Sequence, residues 1–215
     1  MTDLRTADRR IADSTVRRLS TYLRYLEELD GRGRPSASSE ELATLSGTTS
    51  AQVRKDLSFF GSFGKRGLGY PVPELVRHLR EILGLERDWR VAIIGAGKIG
   101  VALANYGGFL QRGFHVAGMY DSDPAKVGVS WGAGMVRNIT ALADDVAAHG
   151  LDIAVLAVPA TVAQTVVDRV VSAGIRAILN FAPAQLHVPD GITLKNVNMA
   201  MELEGLSFAL AHTAP

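Results

Sequence analysis

The sequence predicts an α/β fold in two parts: a small helical domain laid out as a winged helix-turn-helix, then a doubly wound parallel sheet that ends in a helix. Three observations predict it. Residues 38–60 contain two short helical patterns separated by a glycine-containing turn. Val91 to Gly100 reads Val-Ala-Ile-Ile-Gly-Ala-Gly-Lys-Ile-Gly, an apolar strand running into a glycine-rich turn. From there to residue 196, short β-branched runs alternate with helical stretches.

Composition narrows the function classes. The 215 residues are 47% hydrophobic and 21% charged, ordinary for a globular chain. No apolar run approaches the roughly 18 residues that span a bilayer, and the start lacks the apolar stretch of a secretory signal, which points to the cytoplasm. The chain has no cysteine, which excludes disulfides, thiolate metal sites and cysteine nucleophiles; no metal is expected. The net charge of +1 hides a split: residues 1–80 hold 14 Lys/Arg against 10 Asp/Glu (+4), and residues 81–215 hold 9 against 12 (−3). An anionic partner for the first part fits that sign, as does a merely solvated charged face.

In the first part, Val16, Leu19, Tyr22, Leu23, Leu26 and Leu29 repeat at helical spacing, and Asp30 to Pro35 stops the helix. Ser38 with Glu41 forms a capping box for a short helix through Leu42 and Leu45 to Gly47. Ser50 is placed to cap a second helix, Ala51 to about Phe60, which turns Val53, Leu57 and Phe60 inward and Gln52, Arg54, Lys55 and Ser58 outward. Arg and Lys suit guanine edges or phosphate, and Gln suits adenine. Gly61 to Tyr70 reads as a β-wing, with Lys65, Arg66 and Gly67 where a phosphate or minor groove would be met. A helix from Glu74 to Leu83 then connects to the second part.

There, Arg90 to Ile94 is a buried parallel strand. Gly95 allows the tight turn, Gly97 lets backbone approach a pyrophosphate, and Gly100 lets the helix pack on the strand, the helix being expected to run to about Arg112. The N–H groups at its start suit phosphate. Phe114 to Tyr120 forms the second strand. Asp121 follows it, 21 residues past Gly100, where a carboxylate accepts from a ribose 2′-hydroxyl and repels a 2′-phosphate; NAD(H) is favoured over NADP(H). The competing reading makes Asp121 an ordinary turn residue. Helices are expected at Asn138–His149, and from a capping box at Thr161–Gln164 to Gly174; strands at Asp152–Val158, Arg176–Asn180 and Ile192–Asn196. Val158-Pro159-Ala160 and Asn180-Phe181-Ala182-Pro183 leave strand ends and line the crevice of this Rossmann-like sheet. Met199, Leu203, Leu206 and Leu210 make one stripe of a final helix, suited to the chain's own sheet or to a partner subunit.

Taken in order, these motifs resemble one family, the bacterial redox-sensing transcriptional repressor Rex. The resemblance rests on Gln52-Val53-Arg54-Lys55-Asp56-Leu57, Gly64-Lys65-Arg66-Gly67-Leu68-Gly69-Tyr70, Gly95-Ala96-Gly97-Lys98-Ile99-Gly100 with Tyr106, Asn180-Phe181-Ala182-Pro183, and Glu202-Leu203-Glu204. It implies a homodimer whose last helix is swapped onto the partner. It also implies binding of double-stranded operator DNA when apo or NAD+-bound, and release when NADH binds. On that resemblance the cofactor-binding residues are Gly95, Ala96, Gly97, Lys98, Ile99, Gly100, Asp121, Lys126, Ala157, Val158, Pro159, Asn180, Phe181 and Ala182. The DNA-binding set is Gln52, Arg54, Lys55, Ser58, Lys65, Arg66 and Gly67, and the switch residues are Arg18, Tyr106 and Asn198. Asn198 stands where the family carries an aspartate, so it cannot supply the charge that would pair with Arg18, though it can hydrogen-bond Tyr106. The expected division is 1–84 for the DNA-binding domain, 85–196 for the nucleotide domain and 197–215 for a dimerisation helix. The rival is an NAD-dependent oxidoreductase. It would need a proton-transfer group, and of the five histidines only His187, in a loop after a strand, is a candidate. A regulatory subunit that docks protein is a third reading, opposed by the Gln52–Tyr70 stretch.

Overall fold

The computed structural model describes residues 11–64 and 68–212, and the chain divides into two units between Arg87 and Asp88. Each unit has its own core.

The first unit is built on α1 (Asp13–Gly31), which buries Leu19, Tyr22, Leu23, Leu26 and Leu29. The buried line continues back to Thr15, not Val16; Val16 lies one position off that line at the exposed end of the helix, contrary to its expected place in the core. Next come β1 (Ser36–Ala37), α2 (Ser39–Ser46) and α3 (Ser50–Ser58). The capping box forms: Ser38 Oγ accepts from the Glu41 N–H at 3.0 Å, and Gly47, at φ 63°, closes α2 in the left-handed region. The cap of α3 is Thr49 rather than Ser50, because Thr49 is the extended residue and its hydroxyl accepts from Gln52 N–H at 3.1 Å. The helix also stops two residues short of Phe60.

Of the stretch read as a wing, residues 61–64 and 68–70 are described. β2 (Tyr70–Pro71) pairs antiparallel with β1, Ala37 opposite Tyr70, while residues 61–64 adopt no strand. Lys65, Arg66 and Gly67 lie outside the described residues. The next helix, α4 (Val72–Ile82), starts two residues before Glu74, since Pro71 at the cap and Pro73 in the first turn lack only N–H groups that a helix start leaves unpaired. The core of this unit gathers Tyr22, Leu26, Leu42, Val53, Leu57, Leu75 and Leu79; each fully buried aliphatic contributes about 1.5–3 kcal/mol.

The second unit is a six-stranded sheet: β3 (Trp89–Ile94), β4 (Phe114–Asp121), β5 (Arg137–Asn138), β6 (Ile153–Leu156), β7 (Ala177–Asn180) and β8 (Thr193–Asn196), in the order β5-β4-β3-β6-β7-β8. Every pairing is parallel. In chain order within the sheet this is 3-2-1-4-5-6, the doubly wound arrangement that opens a ligand crevice where the direction reverses, between β3 and β6. The helices are α5 (Lys98–Ala104), α6 (Gly107–Leu110), α7 (Leu142–His149), α8 (Ala160–Ser172) and α9 (Met199–His212).

Three local expectations are corrected. The helix after Gly97 does not run unbroken to Arg112. It breaks at Asn105–Tyr106, where Asn105 Nδ2 donates to Val101 O (2.9 Å) and Trp131 O (3.3 Å), and Tyr106 is extended. The stretch from Asn138 opens with the end of β5 and a single 3-10 turn, Ile139–Ala141, capped by Asn138, and becomes α-helical only at Leu142. The Thr161–Gln164 capping box does not form: α8 begins one residue earlier behind an extended Pro159, and Gln164 instead pairs with the backbone of His187 at 2.9 Å in both directions.

One face of the sheet packs under Leu142, Val167 and Val170 of α7 and α8. The opposite face, from β3 across to β8, holds an apolar furrow of about 370 Å³ lined by Val91, Phe109, Phe114, Ile153, Val155 and Leu179. Parallel strands are ordinarily covered on both faces. The final helix does not cover this one: α9 buries none of its residues. Among the described residues no helix is long and apolar enough to cross a membrane.

Candidate dinucleotide crevice and DNA-reading helix

The glycine turn after β3 is shaped by close approach. Gly95 sits at φ 105°, and a Cβ there would lie 2.4 Å from Ala157 O. A Cβ at Gly100 would lie 1.9 Å from Gly95 O, so the first turn of α5 rests directly on the strand end. At Gly97 a Cβ would meet nothing within 4 Å: this glycine faces open space, where a ligand's backbone-hugging group would fit.

Asp121 makes the turn contact of the competing reading and also braces the glycine turn. Its Oδ1 accepts from Asp123 N–H at 2.9 Å, an ordinary turn contact. Its Oδ2 accepts from Ala96 N–H at 2.8 Å and from Lys126 Nζ at 3.0 Å, so the carboxylate also pins the glycine turn. Burial opposes ionisation of Asp121, yet the Asp123 N–H, Lys126 and the Ala96 N–H outweigh it and hold the carboxyl below its usual range. An ionised carboxylate has about four acceptor positions, so capacity remains for a hydroxyl.

These groups border one crevice of about 570 Å³. Of the residues assigned from sequence, Gly95, Gly97, Lys98, Ile99, Asp121, Lys126, Ala157, Val158, Pro159 and Phe181 line it. Four do not. Gly100 is packing, and Ala96 acts through its N–H on Asp121. Asn180 and Ala182, 1% and 6% exposed, stand behind the wall and brace the loop that carries Phe181. Sequence reasoning missed Ile139, Val162 and Val166, which give the crevice an apolar side; the i, i+4 spacing of Val162 and Val166 on α8 was the available signal. No histidine lines the crevice; His187 is exposed. Tyr106 does not line it either: it is 57% exposed, its ring edge-on to Phe109 at 5.2 Å. Asn198 Oδ1 accepts from the N–H groups of Ala200 (3.0 Å) and Met201 (3.4 Å), capping α9.

In the first unit, α3 exposes Arg54, Lys55 and Ser58. Arg54 Nη1 donates to Ser39 Oγ at 2.9 Å, which ties the arginine to the start of α2. Gln52 is not turned out as expected; it is half-buried, and its Nε2 donates to Asp56 Oδ1 at 2.8 Å. Asp56 is fully buried. It also accepts from Arg18 Nε (2.6 Å), Arg18 Nη2 (2.8 Å) and the Tyr22 hydroxyl (2.9 Å). Burial alone would raise the Asp56 carboxyl, but Arg18, Gln52 and Tyr22 outweigh it, and the group stays ionised. Burial and then the Asp56 hydrogen bond push the Tyr22 hydroxyl well up, so it remains a donor. Arg18 thus acts within its own unit as the counter-ion of Asp56 on α3. Among the described residues no group of three or more acidic, histidine or cysteine side chains could hold a metal.

A helix-turn-helix with exposed cations and a dinucleotide crevice, in one chain, define a ligand-responsive DNA-binding regulator. Family models match both parts: "CoA binding domain" over residues 86–184 and "Putative DNA-binding protein N-terminus" over residues 10–58. The redox-sensing transcriptional repressor Rex of Streptomyces avermitilis is 48% identical over 94% of this chain and 81% of its own length, and the chain belongs to that family. Its relatives are named as repressors rather than enzymes. Among solved structures, the Rex-family repressor RSP bound to NAD+ and operator DNA superposes with a TM-score of 0.88 at 39% identity, over 95% of this chain and 99% of that one. RSP bound to NADH superposes at 0.84 with 40% identity, over 93% and 94%. Coenzyme A, in the first model's description, and NAD share an adenosine diphosphate half, which is the part a glycine turn grips.

Proposed function

We propose that this chain is a homodimeric repressor of the cytoplasm that holds palindromic operator DNA when empty or NAD+-bound and lets go when NADH fills the Gly95–Phe181 crevice. The observation that carries this reading is a crevice already assembled around Asp121, with no proton-transfer histidine in its lining, in the same chain as a cation-bearing helix-turn-helix. The same lining weighs against the oxidoreductase, which needs an acid or base beside the nicotinamide.

In this reading Gly97, Lys98 and Ile99 hold the pyrophosphate, Asp121 the adenosine ribose, and Ala157 to Pro159 with Phe181 the nicotinamide end. Residues 1–84 read DNA, 85–196 bind the nucleotide, and 197–215 join two copies. The dihydronicotinamide of NADH is neutral and the ring of NAD+ is cationic, so an apolar wall at Phe181 favours the reduced form. That difference can drive a switch only by acting unequally on the two arrangements of the dimer, and the operator senses it as a change in half-site spacing.

The test is binding to a palindromic duplex at fixed salt, with NADH, with NAD+ and without ligand. NADH is expected to release the duplex and NAD+ to leave it bound; no binding in any state overturns the reading. Arg54→Ala is expected to weaken operator binding by about 1–3 kcal/mol while NADH affinity, read by fluorescence titration, is unchanged. A parallel loss of both would mean that Arg54 is structural.

A further inference from the structure

Resting on the NADH-sensing reading, we propose that Asn180 and Asn196 form the link that carries occupancy of the crevice to α9. The two residues face each other on the last rung of the β7–β8 ladder. Asn180 is 1% exposed, and its side-chain amide and backbone carbonyl reach two segments. Toward the crevice, its Oδ1 accepts from Ala182 N–H at 2.9 Å and its Nδ2 donates to Ala182 O at 3.0 Å, folding Phe181 into the crevice wall. Toward α9, the same Nδ2 donates to Asn196 Oδ1 at 2.9 Å, and its carbonyl accepts from Val197 N–H at 2.8 Å. The next residue is Asn198, the cap of α9. One buried asparagine therefore joins, through its side-chain amide and its backbone carbonyl, the loop that meets the ligand to Asn196 and Val197, just ahead of the cap of α9.

The chemistry favours transmission over simple bracing. An amide has two donors and one two-lone-pair acceptor, and in a buried site its partners move with it or a hydrogen bond is lost. A displacement of Phe181 on ligand entry shifts Ala182, and Asn180 can follow only by drawing Asn196 and Val197 along. α9 buries none of its residues against its own chain, so within the chain the segment from Asn196 to Asn198 is what connects it to the crevice. Asn196 is the exposed partner and so the position to alter.

The experiment measures, for the intact chain and for Asn196→Ala, the affinity for NADH and the backbone hydrogen exchange of residues 199–210 with and without saturating NADH. In the unaltered chain NADH is expected to change that exchange by about fivefold or more, a typical coupling. Asn196→Ala is expected to bind NADH within about twofold of the unaltered chain, yet to leave the exchange of α9 insensitive to it. Asn196→Asp keeps the acceptor and is expected to restore the response. The proposal is overturned if Asn196→Ala still passes the effect of NADH to α9, if its NADH affinity falls instead, which would make the pair a brace of the loop, or if the unaltered chain binds NADH with no change at α9. An unaltered chain that takes up no NADH at all overturns the sensing reading first, and the titration alone reveals it.

Discussion

Asp56→Ala is expected to unfold the DNA-reading unit while leaving nucleotide binding in place. Asp56 is the shared acceptor of Arg18, Tyr22 and Gln52, and removing it strands the Arg18 guanidinium beside a buried hydroxyl. Breaking a buried pair by deleting one partner costs about 3–5 kcal/mol, a large part of what a small domain has. Operator binding is expected to disappear at 25 °C, with NADH affinity unchanged because the crevice belongs to the other unit. Asp56→Asn is the gentler probe and isolates the charge. The folded carboxyl lies below the ordinary value of about 3.9, so its stabilisation is complete above that pH and is lost as pH falls through the folded value. The unaltered unit is therefore expected to lose stability on acidification below about pH 4, and Asp56→Asn to lose less over the same interval. Equal acid sensitivity in the two, followed by circular dichroism melts, would place the titrating group elsewhere.

Ending the chain after Val197 is expected to have the other large effect. α9 shows Met199, Leu203, Leu206, Phe208 and Leu210 to solvent, each at least 59% exposed, and the sheet carries the apolar furrow. Exposed apolar area on that scale marks an interface, and in the dimeric reading proposed above a second copy covers it. Without α9 the chain is expected to sediment as a monomer. A monomer grips one half-site, so affinity for a palindromic duplex should fall by about 10²- to 10⁴-fold, the usual gain from linking two binding modules. ADP-ribose, which needs only the Gly95–Lys126 side of the crevice, is expected to bind as before. A shortened chain that remains dimeric would move the interface to another surface.

What the sequence disclosed follows from how local each feature is. Ser38 with Glu41, the glycines at 95, 97 and 100, and Asp121 after its strand are each fixed by a few neighbouring residues, and the structure has them where the pattern puts them. The misses depend on distant partners. Asn105 ends its helix by reaching Trp131, 26 residues on, and Gln164 leaves its capping role for His187, 23 residues on. Gln52 looks like a base reader on a helical wheel, because nothing in the local pattern says that Asp56, one turn later, is buried and draws it inward. Asn180 and Ala182 belong to a loop that sequence assigns correctly to the crevice, but only burial distinguishes the residues that line it from those that hold it. For α9 the stripe of Met199, Leu203, Leu206 and Leu210 reads the same whether its cover comes from the same chain or another, so only the family resemblance favoured a partner's surface.

The bare sheet face has a consequence for how the protein comes into being. On the dimeric reading, a newly made chain completes both cores, but its last helix and its apolar furrow wait for another molecule. Until then its stability depends on how many copies surround it, by mass action. A cell making few copies would hold mostly single chains, each able to take up nucleotide and none able to span a palindrome. The steepness of repression would then be set by protein abundance as well as by the ratio of NADH to NAD+.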